Sequence, residues 1–194
     1  FIVTEEFFLP NVSLDVYVKM NRPFYPNFSQ EVLERCLQDF ELPLSLNLNE
    51  LSMGQKKKAY MSFALATGTK YLFMDEPTNG LDIPSKSQFR KVIANNMTDE
   101  RMLIISTHQV HDIESLLDHI VILNQNNLLL DASVADICED YSFEYRTPAE
   151  MDDTVLYAEP TLQGNAVIAK RKAGSRETQM NLELLFNAAI NGKL

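Results

Sequence analysis

Glycine is scarce in this chain. The six glycines, at 54, 68, 80, 164, 174 and 192, never stand close enough together to build GxxxxGK[ST] or GxGxxG, so neither common phosphate-cradling loop is present. Cysteine is scarcer still. Cys36 and Cys138 have no CxxC or Cys/His spacing around them, which excludes a disulfide framework and a zinc site and predicts two reduced, partly buried thiols. Basic charge is in deficit: 17 Lys and Arg against 27 Asp and Glu give a net charge of -10 and a pI near 4.7, which argues against a nucleic-acid partner and fits a cytoplasmic protein. No apolar run approaches the roughly 18 residues needed to span a bilayer, so membrane contact is expected only through a partner. The opening "FIVTEEFFLP" has neither a starting methionine nor the residue order of a signal peptide, and a fragment boundary is expected there.

At 194 residues, one domain with a small appendage is expected. In the first fifty residues, prolines at 10, 23, 26 and 43 interrupt an aromatic-rich segment. Its clearest periodic piece, "SQEVLERCLQDF", predicts a helix capped by Ser29, with Val32, Leu33, Cys36, Leu37 and Phe40 on one stripe. A second helix is expected from Leu51 to Gly68. Three strand-sized apolar runs follow, at 70–74, 101–106 and 119–123, with helical segments expected between them at 83–96 and 110–117. That alternation predicts parallel strands joined by crossover helices. "NLLLDAS" after the turn "NQNN" reads as a hairpin partner. Beyond about Cys138 the texture changes to β-type pieces and a terminal amphipathic helix, a small α+β extension over 141–194.

The chemistry concentrates in "LFMDEPTNGLD". Asp75 and Glu76 fall at the C-terminal end of a predicted strand, the edge where open α/β sheets bind ligands. Two adjacent carboxylates there divide labour, one holding Mg²⁺ and one acting on an attacking water. Pro77 is expected to keep Glu76 extended. Upstream, Lys56, Lys57 and Lys58 crowd the first turn of a helix, against its dipole, and an anion facing that helix end would remove the conflict. A solvated basic face explains the lysines equally well.

"LSMGQ", then "DEPTNGLD", then "STHQ", each at the edge of a predicted element, together resemble the ATP-binding subunit of ABC transporters over roughly residues 1 to 135. The resemblance implies a partial P-loop NTPase-type parallel sheet with a helical subdomain (about 8–60) and a catalytic core (about 61–140). It implies ATP and Mg²⁺ as cofactors, with Asp75 on the metal, Glu76 on the attacking water and His108 reaching the terminal phosphate. Ser52, Gly54 and Gln55 are similar to the signature motif that caps a nucleotide held by the opposite subunit, with Met53 in place of the usual glycine. Residues 79–82, Asp82 included, are similar to the loop along the interface of an ATPase dimer, homo- or heteromeric. Glu5, with Glu6 as the competing position, occupies the place of the family's Q-loop glutamine. His111 and His119 have no such support and read as surface or strand-edge residues.

In the family the phosphate loop precedes this region, so the chain is expected to be a fragment lacking it, inactive alone. The implied partner is a transmembrane permease, and the implied place is the inner face of the cell membrane. The extension is similar to those of ATPases paired with exporter-type permeases, with Leu182, Leu185, Phe186 and Ala189 as the packing stripe of its last helix. A soluble ABC-type regulatory module without transport is the alternative reading, and an interaction protein without hydrolysis a third.

Overall fold

The computed structural model describes residues 1–4, 10–43, 45, 47–172 and 174–194. Glu5 and Glu6 lie outside the described residues. The chain forms two compact units, Phe1–Asp112 and Ile113–Leu194.

The first unit holds three parallel strands, β1 (Ile2–Val3), β2 (Tyr71–Asp75) and β3 (Met102–Ser106), in the order β1-β2-β3. β2 and β3 run in register from Tyr71 beside Met102 to Asp75 beside Ser106. Its helices are α1 (Leu14–Asn21), α2 (Gln30–Asp39), α3 (Met53–Ala66) and α4 (Ile83–Asn96). Two of the expected helix boundaries have a clear local cause. Ser29 caps α2 by accepting from Val32 N, and Gly68, at φ +65°, takes the left-handed conformation that ends α3. The core is assembled on α3, whose Phe63 ring meets Tyr17, Tyr25 and Phe28 with centroids 5.0 to 5.8 Å away.

In the second unit, β4 (His119–Asn124) and β5 (Asn127–Ser133) form the predicted hairpin. After α5 (Val134–Asp140), strands β6 (Tyr141–Arg146), β7 (Val155–Thr161) and β8 (Gly164–Lys170) make an antiparallel sheet in the order β6-β8-β7. The last helix, α6 (Leu182–Ile190), is capped by Asn181 and packs on β8, β7 and the hairpin.

Three expectations change. The run 119–123 does not extend the parallel sheet; it pairs with β5 because the four-residue turn is short enough to return the chain antiparallel. The parallel place goes to Ile2–Val3 instead. Residues 110–117 are two single-turn 3₁₀ pieces, Val110–Asp112 and Glu114–Leu116, not a crossover helix. The hairpin falls in the second compact unit, where it packs with α5 and α6. The stripe of α6 also shifts: Leu184 and Ala188 join Leu182, Leu185 and Ala189 in the core, whereas Phe186 is exposed.

Candidate active site

β2 ends at Asp75, and Glu76 N donates to Ser106 O at 2.8 Å, carrying the strand pairing one residue past the strand. This puts both carboxylates at the C-terminal edge of the sheet. Asp75 is exposed and accepts from Ser106 Oγ at 2.5 Å. The Glu76 carboxylate is largely enclosed and gripped from one loop: Oε2 accepts from Thr107 Oγ1 at 2.8 Å, and Oε1 from His108 N at 2.9 Å. His108 Nδ1 lies 2.6 Å from the same Oε1. An ionised carboxylate only accepts, so this contact selects the Nδ1–H tautomer and leaves Nε2 facing outward on a ring that is 72% exposed. Burial works to raise the Glu76 pKa. The hydrogen bonds from Thr107 and from the His108 side chain and backbone outweigh it, and the carboxyl is held below its usual range.

Glu76 is not extended. Its φ is +45°, in the left-handed region that L-residues with side chains seldom occupy. Pro77 disfavours the right-handed helical region for the residue before it, as expected; the backbone takes the left-handed alternative because the Glu76 carbonyl is also captured. Lys57 Nζ donates to Glu76 O at 2.8 Å and to Asn79 O at 2.9 Å. Lys57 is therefore no anion-binding cation at a helix end. It is 4% exposed and belongs to the inner face of α3 with Met61, Ala64 and Leu65, at helical spacing. Lys58 is engaged by Gln88 at 2.7 Å.

The other expected site residues divide into two groups. Ser52 and Gln55 form a complete capping box at the start of α3: Ser52 Oγ accepts from Gln55 N and Gln55 Oε1 accepts from Ser52 N. A Cβ on Gly54 would meet nothing closer than Leu81 Cδ2 at 3.7 Å, so the chain itself does not require glycine at this position. Asp82 caps α4, its Oδ1 accepting from Ser85 N at 2.9 Å, and hydrogen bonds from the Ser85 side chain and backbone hold its pKa down. Its near neighbour Asn79 reaches the clamp instead, accepting from Gln109 Nε2 at 3.3 Å. Lys86 then ties Gln109, at 2.9 Å, to Asp112, at 2.7 Å. His111 is exposed, and His119 pairs with Asp131 across the hairpin at 2.7 Å.

Sequence reasoning missed Thr107, Gln109 and Lys57. The first two sit inside the quoted "STHQ", where their neighbour His108 drew the attention. Lys57 was legible from its period with Met61, Ala64 and Leu65.

No family model matches the chain. Over 110 residues it is 29% identical to the zinc uptake system ATP-binding protein ZurA of Listeria innocua, covering 55% of this chain and 42% of that protein. Over 125 residues it is 25% identical to the ABC transporter ATP-binding protein YtrB of Bacillus subtilis, covering 64% of this chain and 43% of that one. The chain is homologous to ABC transporter ATP-binding proteins. It spans about two fifths of the length of these two relatives. The ABC ATPase fold extends through the second unit as well: a solved putative cobalt transport ATP-binding protein superposes on 100% of this chain and 71% of its own, with a TM-score of 0.60 at 19% identity.

Among the described residues, no three His, Cys, Asp or Glu side chains come together as a metal cage, and no helix is long and apolar enough to cross a membrane. A single exposed carboxylate at a strand end fits Mg²⁺, which takes one or two carboxylates and completes its shell from phosphates and water.

Proposed function

We propose that these residues are part of the ATP-hydrolysing subunit of an ABC-type transporter. The observation that carries this is the Glu76 clamp: a carboxylate fixed by Thr107 and His108 beside the exposed carboxylate of Asp75, at the C-terminal edge of a parallel sheet, where ligands bind in open α/β folds. Asp75 would hold Mg²⁺, which supplies neutralisation of phosphate charge when bound. Glu76, kept ionised, orients an attacking water and takes its proton. His108, its Nδ1–H anchored on Glu76, offers Nε2 to an oxygen of the terminal phosphate.

The phosphate loop that the 194 residues lack would come from chain outside them. Two observations support this: the chain covers about two fifths of its relatives, and the sheet leaves one apolar face open, with Tyr71, Phe73, Met102 and Ile104 exposed. Parallel sheets are ordinarily covered on both faces. The exposed helix start at Ser52 would face the nucleotide of a second ATPase subunit. A cleft of about 620 Å³ between α1 and α2, floored by Leu14, Val18, Phe28 and Leu33 and edged by Lys19 and Arg22, is where we place the permease. With a permease seated there, the subunit would lie at the inner face of the membrane. Export is the finer reading and rests on the C-terminal extension alone; ZurA is named for uptake and the solved neighbour for cobalt transport. Transport assays in vesicles of both orientations decide the direction.

The test is ATP turnover by the full-length subunit and its Glu76→Gln variant. A loss of about 10²-fold or more in turnover, with ATP binding retained, is expected from removing a positioned general base. Unchanged turnover would count against Glu76 as that base.

A further inference from the structure

We propose that Lys57 is a positioning residue that sets the place of Glu76 through its main chain. This rests on the role proposed for Glu76. The Glu76 peptide is pinned on both sides: its N–H donates to Ser106 O at 2.8 Å, and its carbonyl accepts from Lys57 Nζ at 2.8 Å and from Asn79 N at 3.2 Å. The same ammonium holds Asn79 O at 2.9 Å, closing the loop between the carboxylate and the turn at Gly80. Between those contacts Glu76 sits at φ +45°, a conformation that persists only where its surroundings over-determine it.

A structural lysine alone does not account for this arrangement. Burying an ammonium is costly, and Met61, Ala64 and Leu65 on the same face show that apolar side chains suffice to seat α3. What an apolar side chain of similar length cannot do is donate to two carbonyls at once. Thr107 and His108 hold the carboxylate from the β3 side, and Lys57 holds its backbone from the α3 side, so the group is located from two independent elements. Without Lys57, the loop is free to relax toward an unstrained φ and to carry the carboxylate away from its partners.

The experiment is a double-mutant cycle in the full-length subunit, with Lys57→Met and Glu76→Gln singly and together, read as kcat and KM for ATP. Lys57→Met is expected to lower kcat about tenfold with KM changed less than about twofold, and to lower turnover no further once Glu76 is Gln. Lys57→Arg, which retains donors for both carbonyls, is expected to recover most of the lost kcat. Full kcat in Lys57→Met overturns the proposal, and so does a loss of equal size in the Glu76→Gln background. If Lys57→Met and Lys57→Gln both fail to fold, Lys57 is an anchor of the fold and not a positioning residue. A Glu76→Gln protein with full turnover removes the assignment of Glu76 itself, an outcome distinct from Glu76 dependence with an indifferent Lys57.

Discussion

In the first unit, Ile2, Tyr71, Phe73, Met102 and Ile104 share one face of the parallel sheet and stand 40 to 61% exposed, whereas Val167, Ile168 and Ala169 on the central strand of the second unit are fully buried. Both sheets have three strands. The opposite face of the first buries Val3, Leu72 and Met74 and leaves Leu103 and Ile105 half-buried. The difference lies in the open face, where large side chains that belong in a core meet solvent. It teaches that the acidic edge is hydrogen-bonded across β2 and β3 although one face of the sheet beneath it is open.

The sharpest way to break this comparison is Phe73→Ala measured in two contexts by urea denaturation. In the 194-residue chain the expected cost is below about 0.5 kcal/mol, as for exposed positions; in the full-length subunit it is about 3 to 5 kcal/mol, as for a buried phenylalanine. Equal small costs in both would mean that nothing covers the face. Ile168→Ala is the control from the closed sheet, with an expected loss of about 2 to 5 kcal/mol in either context. Loss in one context only would overturn the view that the second unit needs no cover from outside. At the exposed start of α3, Ser52→Ala removes half of the capping box and is expected to cost about 1 kcal/mol, visible as a lowered denaturation midpoint.

The smallest effect concerns pH. The Glu76 pKa is depressed in the folded chain, so the unfolded state takes up its proton first as pH falls. Its contribution to stability is complete above the ordinary value of 4.5 and disappears as pH drops through the folded value. The Glu76→Gln variant is therefore expected to show a shallower loss of stability on acidification below about 4.5, measured by denaturation across that range. An unchanged slope would mean that the Thr107 and His108 contacts do not hold in solution.

Local rules were enough for α2, α3, α6 and the hairpin, because caps at Ser29, Ser52 and Asn181 and a short polar turn act within a few residues. The same rules placed Asp75 and Glu76 at a strand end, and the resemblance to ABC ATP-binding subunits linked them to His108. They failed where two segments compete for one role. The run 119–123 has the composition of a parallel strand, but its near neighbour β5 captured it, and Ile2–Val3, too short to register as a strand, took the sheet edge. Lys57 failed differently: read by its charge it belonged with Lys56 and Lys58, and read by its period it belonged with the core.

The sequence by itself determined the resemblance to ABC transporter ATP-binding proteins, the acidic pair and the helix that begins at Ser52, since motif order and capping chemistry are properties of neighbouring residues. Only the tertiary structure decided the left-handed turn at Glu76, the burial of Lys57 against two carbonyls and the grip of Thr107 on the carboxylate. Those contacts join residues 19 to 32 positions apart, and their geometry exists only once α3, β2 and β3 are packed together.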